Sequence, residues 1–175
     1  MREAIQKADT LIEAMQWIRE FRGKVTVIKL GGSVMEDEAA MSSLLLDVVF
    51  METVGMRPVI VHGGGAAISR AMADAGLEPR WVQGRRYTDD AVLEIVERTL
   101  AGSVNRRIVE EIDRLGGRAE GLNFDTRNVL FGERMGLKDA DGGDIDLGHV
   151  GKVTRVDCET IDDLCRRWVV PVIPS

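Results

Sequence analysis

Two short apolar runs, each followed at once by glycines and then by a helical stretch, constrain the fold of this chain more than any other feature. The first run is Val25–Leu30, with glycines at 31–32, and the second is residues 59–62, with glycines at 63–65. The first run is apolar on both faces, which is typical of a buried parallel strand. The repeated order of strand, glycine turn and helix predicts right-handed βαβ units. We therefore expect an α/β fold, a three-layer αβα sandwich with a mainly parallel central sheet.

The rest of the chain continues this alternation. Helical periodicity predicts helices at residues 37–54, 66–75, 89–115 and 158–167. In the third of these, Thr88 is expected at the N-cap and Gly102 at a kink. Turn residues predict hairpins at 80–88, turning at Gly84, and at 128–137, turning at Gly132, and an exposed acidic loop at 138–148. Strands are expected at 118–122 and 150–156, and the last apolar run is expected to be a core strand, at 168–175.

Residues 3–22 form a separate amphipathic segment ahead of the first strand. Apolar residues recur in it at helical spacing, at Ile5, Ala8, Ile12, Met15 and Ile18. We therefore divide the chain into an N-terminal oligomerisation helix, residues 1–22, and one compact domain, residues 23–175. The residue pattern alone leaves open whether the helix packs on its own domain or on another subunit.

Composition narrows the classes of partner. The chain has 175 residues, 45% of them hydrophobic, and a net charge of −6 with a pI of about 5.0. This acidic balance argues against binding to nucleic acid or to an anionic membrane. No apolar run approaches the ~20 residues that span a bilayer, and the charged N-terminus is not a secretory signal. Two cysteines and two histidines, outside any metal-binding pattern, predict a cytoplasmic protein without a structural metal ion.

The two glycine clusters point to the binding of an anion. Backbone N–H groups after a strand gather around one concavity, and the next helix adds the positive end of its dipole. A dinucleotide fingerprint needs a third spaced glycine, where this chain has Ile68, and the chain contains no Walker A string. Lys29 stands two residues before Gly31. A lysine at the end of a buried strand faces either a ligand, such as a transferring phosphoryl group, or an acidic partner, and the residues alone leave both roles open.

Five stretches together resemble the amino acid kinase family, and within it the arginine-inhibited, hexameric branch of the acetylglutamate kinases. They are KADTLIEAMQWIREFRGKVTVIK (7–29), VIKLGGS (27–33), VIVHGGG (59–65), QGRRYTDDAVLEIVERTLAGSVNRRIV (83–109) and LGHVGKVTRVD (147–157). They occur in the family's order and span nearly the whole chain. The resemblance implies the amino acid kinase fold. It also implies ATP-dependent phosphorylation of the side-chain carboxylate of N-acetyl-L-glutamate, a step of arginine biosynthesis that yields an acyl phosphate.

The resemblance further implies the site residues and the partners. Matched position by position, the site consists of Lys29 for transition-state stabilisation, Gly31 and Gly32 in the phosphate loop, Gly63 and Gly64 holding the acceptor, and Arg86 gripping its α-carboxylate. ATP with Mg²⁺ is then the co-substrate, and no tightly bound cofactor is expected. The assembly is expected to be a homo-oligomer, a hexamer built as a trimer of dimers, with arginine as a feedback inhibitor. His62 is expected to hydrogen-bond the glycine loop, because an ionised carboxylate acceptor has no proton for a base to remove.

Two departures from the family's pattern bear on function. Residues 121–130 (GLNFDTRNVL) stand where family members usually carry a GLSGKDG-like stretch. The family's second half, with the ATP-binding residues and a second catalytic lysine, has no counterpart in these residues. We therefore expect the C-terminal half of the fold to be missing and the chain to be inactive alone. Two alternatives stay open: a non-catalytic module that binds a small acid, and a sister kinase acting on carrier-bound aminoadipate, carbamate or glutamate.

Overall fold

The computed structural model describes residues 2–138 and 143–175. Its helices are α1 (Arg2–Phe21), α2 (Gly32–Glu36), α3 (Glu38–Thr53), α4 (Gly65–Asp74), α5 (Asp90–Glu97), α6 (Arg106–Arg114) and α7 (Cys158–Arg166), and a π-helical segment, Arg98–Asn105, joins α5 to α6. Its strands are β1 (Val25–Leu30), β2 (Arg57–His62), β3 (Trp81–Val82), β4 (Arg85–Arg86), β5 (Ala119–Gly121), β6 (Leu130–Arg134), β7 (Leu137–Lys138), β8 (Asp144–Ile145), β9 (Gly151–Val156) and β10 (Val170–Pro174). Among these residues no helix combines the length and the apolar character needed to cross a membrane.

Four parallel strands form the central sheet, in the order β1–β2–β10–β5. Leu30 at the end of β1 lies in register with His62 at the end of β2, and His62 lies in register with Pro174 of β10. The carboxyl ends of these strands therefore meet at one edge, where each glycine cluster follows its strand. The last apolar run is confirmed as a core strand, since β10 pairs with β2 on one side and with β5 on the other.

Helices pack on both faces of the sheet, which confirms the three-layer α/β arrangement. On one face α3 and α6 pack against alternate strand residues, and the shared core includes Leu30, Met41, Leu45, Ile60, Ile108, Ile112 and Val172. On the other face α7 packs against the intervening residues, and the core includes Val59, Leu164, Cys165 and Ile173. These two cores hold the strands in the register that brings the glycine clusters together.

The prediction that the first strand is buried on both faces is wrong. β1 is an edge strand of the described sheet, and Val25 and Val27 are 44% and 64% exposed. Only the face that carries Leu30 packs against α3. A run of apolar residues predicts a strand, but it does not specify that a layer of structure covers each of its faces.

The prediction of a hairpin turning at Gly132 is also wrong. Gly132 lies inside β6, which pairs with β9 in antiparallel fashion and is irregular between Phe131 and Gly132. A Cβ here would stand 2.7 Å from the carbonyl oxygen of Lys152, so this glycine permits two strands to approach closely rather than forming a turn. The other hairpin is confirmed, because β3 and β4 pair around Gln83 and Gly84, which both have positive φ.

The long helix predicted at 89–115 is present, but its middle is not α-helical. Gly102, the predicted kink, lies in the π-helical segment between α5 and α6, where hydrogen bonds run from residue i to residue i+5. The loop predicted at 138–148 falls partly outside the described residues, at 139–142, and the short strands β7 and β8 pair on either side of that gap.

Candidate functional site

The two glycine clusters lie side by side at the carboxyl edge of the sheet. Lys29 of β1 is in register with Val61 of β2, so the turns that follow the two strands are neighbours. Helix α2 begins at Gly32 and helix α4 begins at Gly65, and Gly32 and Gly64 line one cavity. The structure thus brings together the two loops that the sequence singled out. Their backbone amides and helix N-termini suit a phosphate or a carboxylate.

Gly64 packs more closely than Gly63 or Gly65 against the rest of the chain. Gly64 is buried, and a Cβ there would stand 2.5 Å from Cδ2 of Leu100 on the π-helical segment. A Cβ at Gly31 or at Gly63 would meet no described atom within 4 Å. The glycine triplet, residues 63–65, therefore packs against the π-helical segment at Gly64 and faces open space at Gly63.

His62, the last residue of β2, is fully buried next to the glycine triplet. Its Nδ1 lies 3.0 Å from the carbonyl oxygen of Gly63, and its Nε2 lies 3.0 Å from Nδ2 of Asn105. Burial lowers the pKa of His62, and the hydrogen bond to Gly63 opposes this to a smaller extent. The imidazole is therefore neutral at pH 7, and the expectation that it hydrogen-bonds the loop is confirmed.

The free energy of unfolding is expected to fall as the pH drops below about 6.5, because the unfolded chain then binds a proton that buried His62 does not. The pKa of His62 in the folded chain lies below its ordinary value. Its contribution is therefore fully present above pH ~6.5 and is lost on acidification toward the folded pKa, at up to about 1.4 kcal/mol per pH unit. Urea unfolding between about pH 5 and 8 measures this slope, which should be shallower by that amount in His62→Gln. Equal slopes in the two proteins would contradict the prediction.

The β3–β4 hairpin carries Arg86 to the beginning of α4. Its Nη2 donates to the hydroxyl of Ser69 at 2.8 Å and to the carbonyl of Gly65 at 3.3 Å, and its Nη1 donates to Sδ of Met72 at 3.0 Å. The guanidinium also lies 4.8 Å from the centroid of the Trp81 ring. Partial burial lowers the pKa of Arg86, but a guanidinium stays charged at pH 7. These three hydrogen bonds leave the Nε–H and one Nη1–H of its five N–H donors, and these two lie on different edges of the guanidinium.

Lys29 is exposed at the same edge of the sheet. Its position in β1 places it on the face of Val25 and Val27, opposite the face that packs against α3. In the parts of the chain that the structure describes, Lys29 forms no salt bridge, so the acidic partner considered from the sequence is not found there. Lys29 is not among the residues that line the cavity shared by Gly32 and Gly64, so the structure leaves its ammonium group in solvent outside that cavity.

A contact that the sequence did not reveal anchors the chain just after Arg86. The amide of Thr88 donates to the carbonyl of Leu147 at 3.1 Å, and the amide of His149 donates to the carbonyl of Thr88 at 2.6 Å. Gly148, between these two partners, has a φ of +70° and packs directly against the Thr88 carbonyl. We call this pair of hydrogen bonds the Thr88–Gly148 clasp. It ties the segment behind the hairpin to the region ahead of β9.

The prediction that Thr88 caps the long helix is wrong. The side chain of Asp89 accepts a hydrogen bond from the amide of Val92 and occupies the N-cap position. Asp90, in the first turn, lies 2.6 Å from Nε2 of His149. The backbone of Thr88 serves the clasp instead, which moves the start of the helix forward by one residue.

Two buried asparagines behind His62 were not predicted: Asn105 contacts His62, and Asn123 contacts Asn105. Asn105 donates to the carbonyl of Val172 at 2.9 Å, and Asn123 donates to Oδ1 of Asn105 at 3.1 Å. Asn123 belongs to the 121–130 segment that departs from the family's pattern. One signal in the sequence could have identified Asn105, since it interrupts an apolar stripe at helical spacing formed by Ala101, Ile108 and Ile112.

Comparison with known proteins identifies the family to which this chain is similar. Residues 24–175 match the amino acid kinase family. The acetylglutamate kinase of Petrotoga mobilis is 43% identical over 171 residues, which make up 98% of this chain and 55% of that protein. Among solved structures, smu.665 of Streptococcus mutans has a TM-score of 0.73 at 25% identity, over 86% of this chain and 58% of that chain. The N-acetylglutamate synthase of Neisseria gonorrhoeae has a TM-score of 0.78 at 22% identity, over 95% of this chain and 37% of that chain. This chain spans little more than half the length of the curated relatives it matches.

Proposed function

The chain belongs to the amino acid kinase family, and we propose that it forms the acceptor side of an enzyme that phosphorylates N-acetyl-L-glutamate with ATP. In this proposal the side-chain carboxylate becomes an acyl phosphate, and the reaction serves arginine biosynthesis in the cytoplasm. The contact of Arg86 with Gly65 carries the proposal, because it sets a carboxylate-binding guanidinium beside a glycine turn whose amides suit a second carboxylate. The similarity to acetylglutamate kinases, at 43% and 41% identity, supports the choice of substrate.

N-acetyl-L-glutamate carries two carboxylates, and the proposal assigns one to each group. Arg86 holds the α-carboxylate through a charge-assisted hydrogen bond from one of its remaining N–H donors. The amides of Gly63 and Gly64 hold the side-chain carboxylate, and one of its oxygens attacks the γ-phosphorus of ATP. The new O–P bond forms as the bond from the γ-phosphorus to the bridging oxygen breaks, and ADP leaves. The acceptor is already ionised at neutral pH, so no base has to remove a proton.

The first glycine turn and its lysine serve the transferring group in this proposal. The amides of Gly31 and Gly32 hold phosphate oxygens, and Lys29 offsets the negative charge that spreads over the phosphoryl group in the transition state. ATP enters as a co-substrate with Mg²⁺. The exposed ammonium group of Lys29, which forms no salt bridge with the described residues, supports this assignment.

Calorimetric titration of this chain with N-acetyl-L-glutamate tests the acceptor site directly. We expect N-acetyl-L-glutamate to bind at least about tenfold more tightly than L-glutamate, because the free ammonium of glutamate places a positive charge near Arg86. A carrier-peptide aminoadipate and carbamate complete the panel and represent the sister kinases. Absence of N-acetyl-L-glutamate binding, or tighter binding of another member of the panel, would refute the proposed substrate.

Turnover requires a separate measurement. That the 175 residues alone release no ADP stays a prediction, and a coupled assay with N-acetyl-L-glutamate and ATP checks it. Robust turnover by this chain would overturn that prediction while leaving the acceptor assignment intact.

Deleting residues 1–22 is expected to lower the oligomeric state, which light scattering measures. Helix α1 exposes a set of large apolar side chains, Ile5, Leu11, Ile12, Met15, Trp17 and Phe21. Apolar surface of this extent marks an interaction site, and we propose that a second copy of the chain covers it, in a hexamer that arginine inhibits. Leu11→Gln with Ile12→Gln should reduce the mass in the same way, whereas Glu13→Gln should leave it unchanged. An unchanged mass after the deletion would refute the subunit contact.

A further inference from the structure

We propose that Asn105 is a positioning residue for the glycine triplet: its amide selects the Nδ1–H tautomer of His62, and this tautomer orients the peptide between Gly63 and Gly64. The orientation of that peptide decides where the Gly64 N–H points. The inference deepens the proposed function and rests on it only for the identity of the bound acceptor.

The first step is the orientation of the Asn105 amide. The carbonyl oxygen of Val172 can only accept a hydrogen bond, so the group 2.9 Å from it must be the NH₂ of Asn105. The NH₂ of Asn123 donates to the other end of the amide, Oδ1, at 3.1 Å. A flipped Asn105 would set two oxygens against each other at Val172 and two NH₂ groups against each other at Asn123. The buried surroundings therefore permit one orientation.

The second step is the tautomer of His62. Nε2 faces a donor, Nδ2 of Asn105, at 3.0 Å, so Nε2 must accept and carries no hydrogen. In a neutral imidazole the hydrogen then lies on Nδ1, which donates to the carbonyl of Gly63 at 3.0 Å. His62 is fully buried, which disfavours the doubly protonated cation. Asn105 thus dictates which ring nitrogen holds the loop.

The third step is the peptide plane. In a trans peptide the C=O and the following N–H point in opposite directions. Because the carbonyl of Gly63 points at His62, the N–H of Gly64 points away from the imidazole. Within the described residues this N–H donates to no protein acceptor. The Gly64 N–H is therefore free to donate to the acceptor carboxylate, as the proposed function requires.

The π-helical segment brings Asn105 and Leu100 to the same site. In an α-helix, residues five apart project about 140° from each other, whereas i→i+5 bonding returns them nearly to one face. Leu100 approaches Gly64, and Asn105, five residues later, reaches His62. The irregular segment therefore supports the glycine triplet with a packing contact and a hydrogen bond at once.

Nitrogen-15 NMR of the wild-type chain tests the tautomer without a ligand. Long-range ¹H–¹⁵N spectra distinguish the two neutral tautomers from each other and from the cation. The chain has two histidines, and the signals that remain in His149→Gln belong to His62. We expect His62 as the neutral Nδ1–H tautomer at pH 7 to 8. Observation of the Nε2–H tautomer would overturn the proposal. Because this measurement uses the wild-type sequence around His62, it does not depend on whether an Asn105 variant folds.

Asn105→Asp tests the consequence for the loop. A carboxylate accepts a hydrogen bond, so we expect the proton to move to Nε2, after which neutral Nδ1 can no longer hold the Gly63 carbonyl. The NMR signal of the Gly64 amide should shift. At pH values above the pKa of His62, which the same spectra measure, the affinity for N-acetyl-L-glutamate should fall by about tenfold. Asn128→Asp, the same change at an exposed position, is the control and should alter neither.

The two readouts separate this proposal from the proposed function. An Asn105→Asp chain that keeps the Nδ1–H tautomer, or that loses it without a shift of Gly64, would overturn the role of Asn105. A second outcome separates the two proposals. If wild-type His62 has the expected tautomer and Asn105→Asp shifts the Gly64 signal, but the wild-type chain binds no N-acetyl-L-glutamate, the positioning role is confirmed and the proposed acceptor is refuted.

Discussion

Replacing Arg86 with alanine is expected to weaken N-acetyl-L-glutamate binding by about 100-fold, which corresponds to about 2.7 kcal/mol. A charge-assisted hydrogen bond between a guanidinium and a carboxylate is among the strongest polar contacts, and its loss leaves the carboxylate unpaired. Ser69 and the carbonyl of Gly65 already hold the guanidinium, so little side-chain freedom is lost when the ligand arrives. Calorimetric titration with N-acetyl-L-glutamate measures the change.

Arg85 provides the matched control, because it adjoins Arg86 in β4 and is exposed. Arg85→Ala removes the same charge and should change the affinity no more than about twofold, since exposed charges are screened by water and salt. Arg86→Lys keeps the charge but loses the planar guanidinium that Ser69 and Gly65 hold in place, so we expect an intermediate loss. Equal affinities of Arg86→Ala and the wild-type chain would remove Arg86 from the acceptor site.

The difference between Arg85 and Arg86 illustrates what the sequence could predict. The order of apolar runs and glycine turns predicted the parallel sheet, and the structure confirms Val25–Leu30 and the last run as strands. Short apolar runs that are rich in β-branched residues and bounded by glycine or proline are more typical of strands than of helices. Family resemblance favoured Arg86 over its neighbour, and the structure turns Arg86 toward α4. The assignment of Arg86 to the acceptor stays a prediction until binding is measured.

The exposed faces and the turn positions could not be predicted in this way. Burial of Val27 depends on a layer that would have to cover β1, and no local pattern in the strand specifies that layer. Gly132 was predicted as a turn residue because glycine is common in turns, yet here it lets Lys152 of β9 approach. A glycine in a sequence can indicate either a close approach of two backbones or a positive φ. Only the tertiary structure distinguishes the two.

The polar contacts behind the site were the least predictable. Asn105 and His62 are 43 residues apart in the chain, and Asn105 and Val172 are 67 apart. Their pairing depends on the sheet order and on the π-helical segment, neither of which a single residue type signals. Asn123 lies in the stretch that departs from the family's usual pattern, so resemblance offered no guide to it. These contacts decide the geometry of the glycine triplet.

Gly148→Ala is expected to lower the free energy of unfolding by about 3 kcal/mol, because it breaks the Thr88–Gly148 clasp. A φ of +70° strains any residue with a Cβ, and the Cβ itself would overlap the carbonyl of Thr88. Backbone atoms on both sides leave no flexible side-chain end to move aside. For a chain of this size the loss lowers the melting temperature by about 6–12 °C, which calorimetry detects.

Gly136 provides the matched control for this substitution. It is exposed, it lacks a positive φ, and a Cβ there would meet no described atom within 4 Å. Gly136→Ala should therefore change the melting temperature by no more than about 2 °C. Equal melting temperatures for the two variants would show that the clasp contributes nothing to stability.

Amide hydrogen exchange connects this loss to the acceptor site. In Gly148→Ala the amides of Thr88 and His149 should lose protection, since each donates one hydrogen bond of the clasp. The Thr88 hydroxyl also donates to the carbonyl of Arg86 at 3.2 Å, so a freed Thr88 no longer fixes the strand that carries the guanidinium. Acceptor affinity should then fall even though Gly148 touches no ligand in the proposed site. A variant that loses protection at Thr88 but keeps full affinity would show that the hairpin positions Arg86 without the clasp.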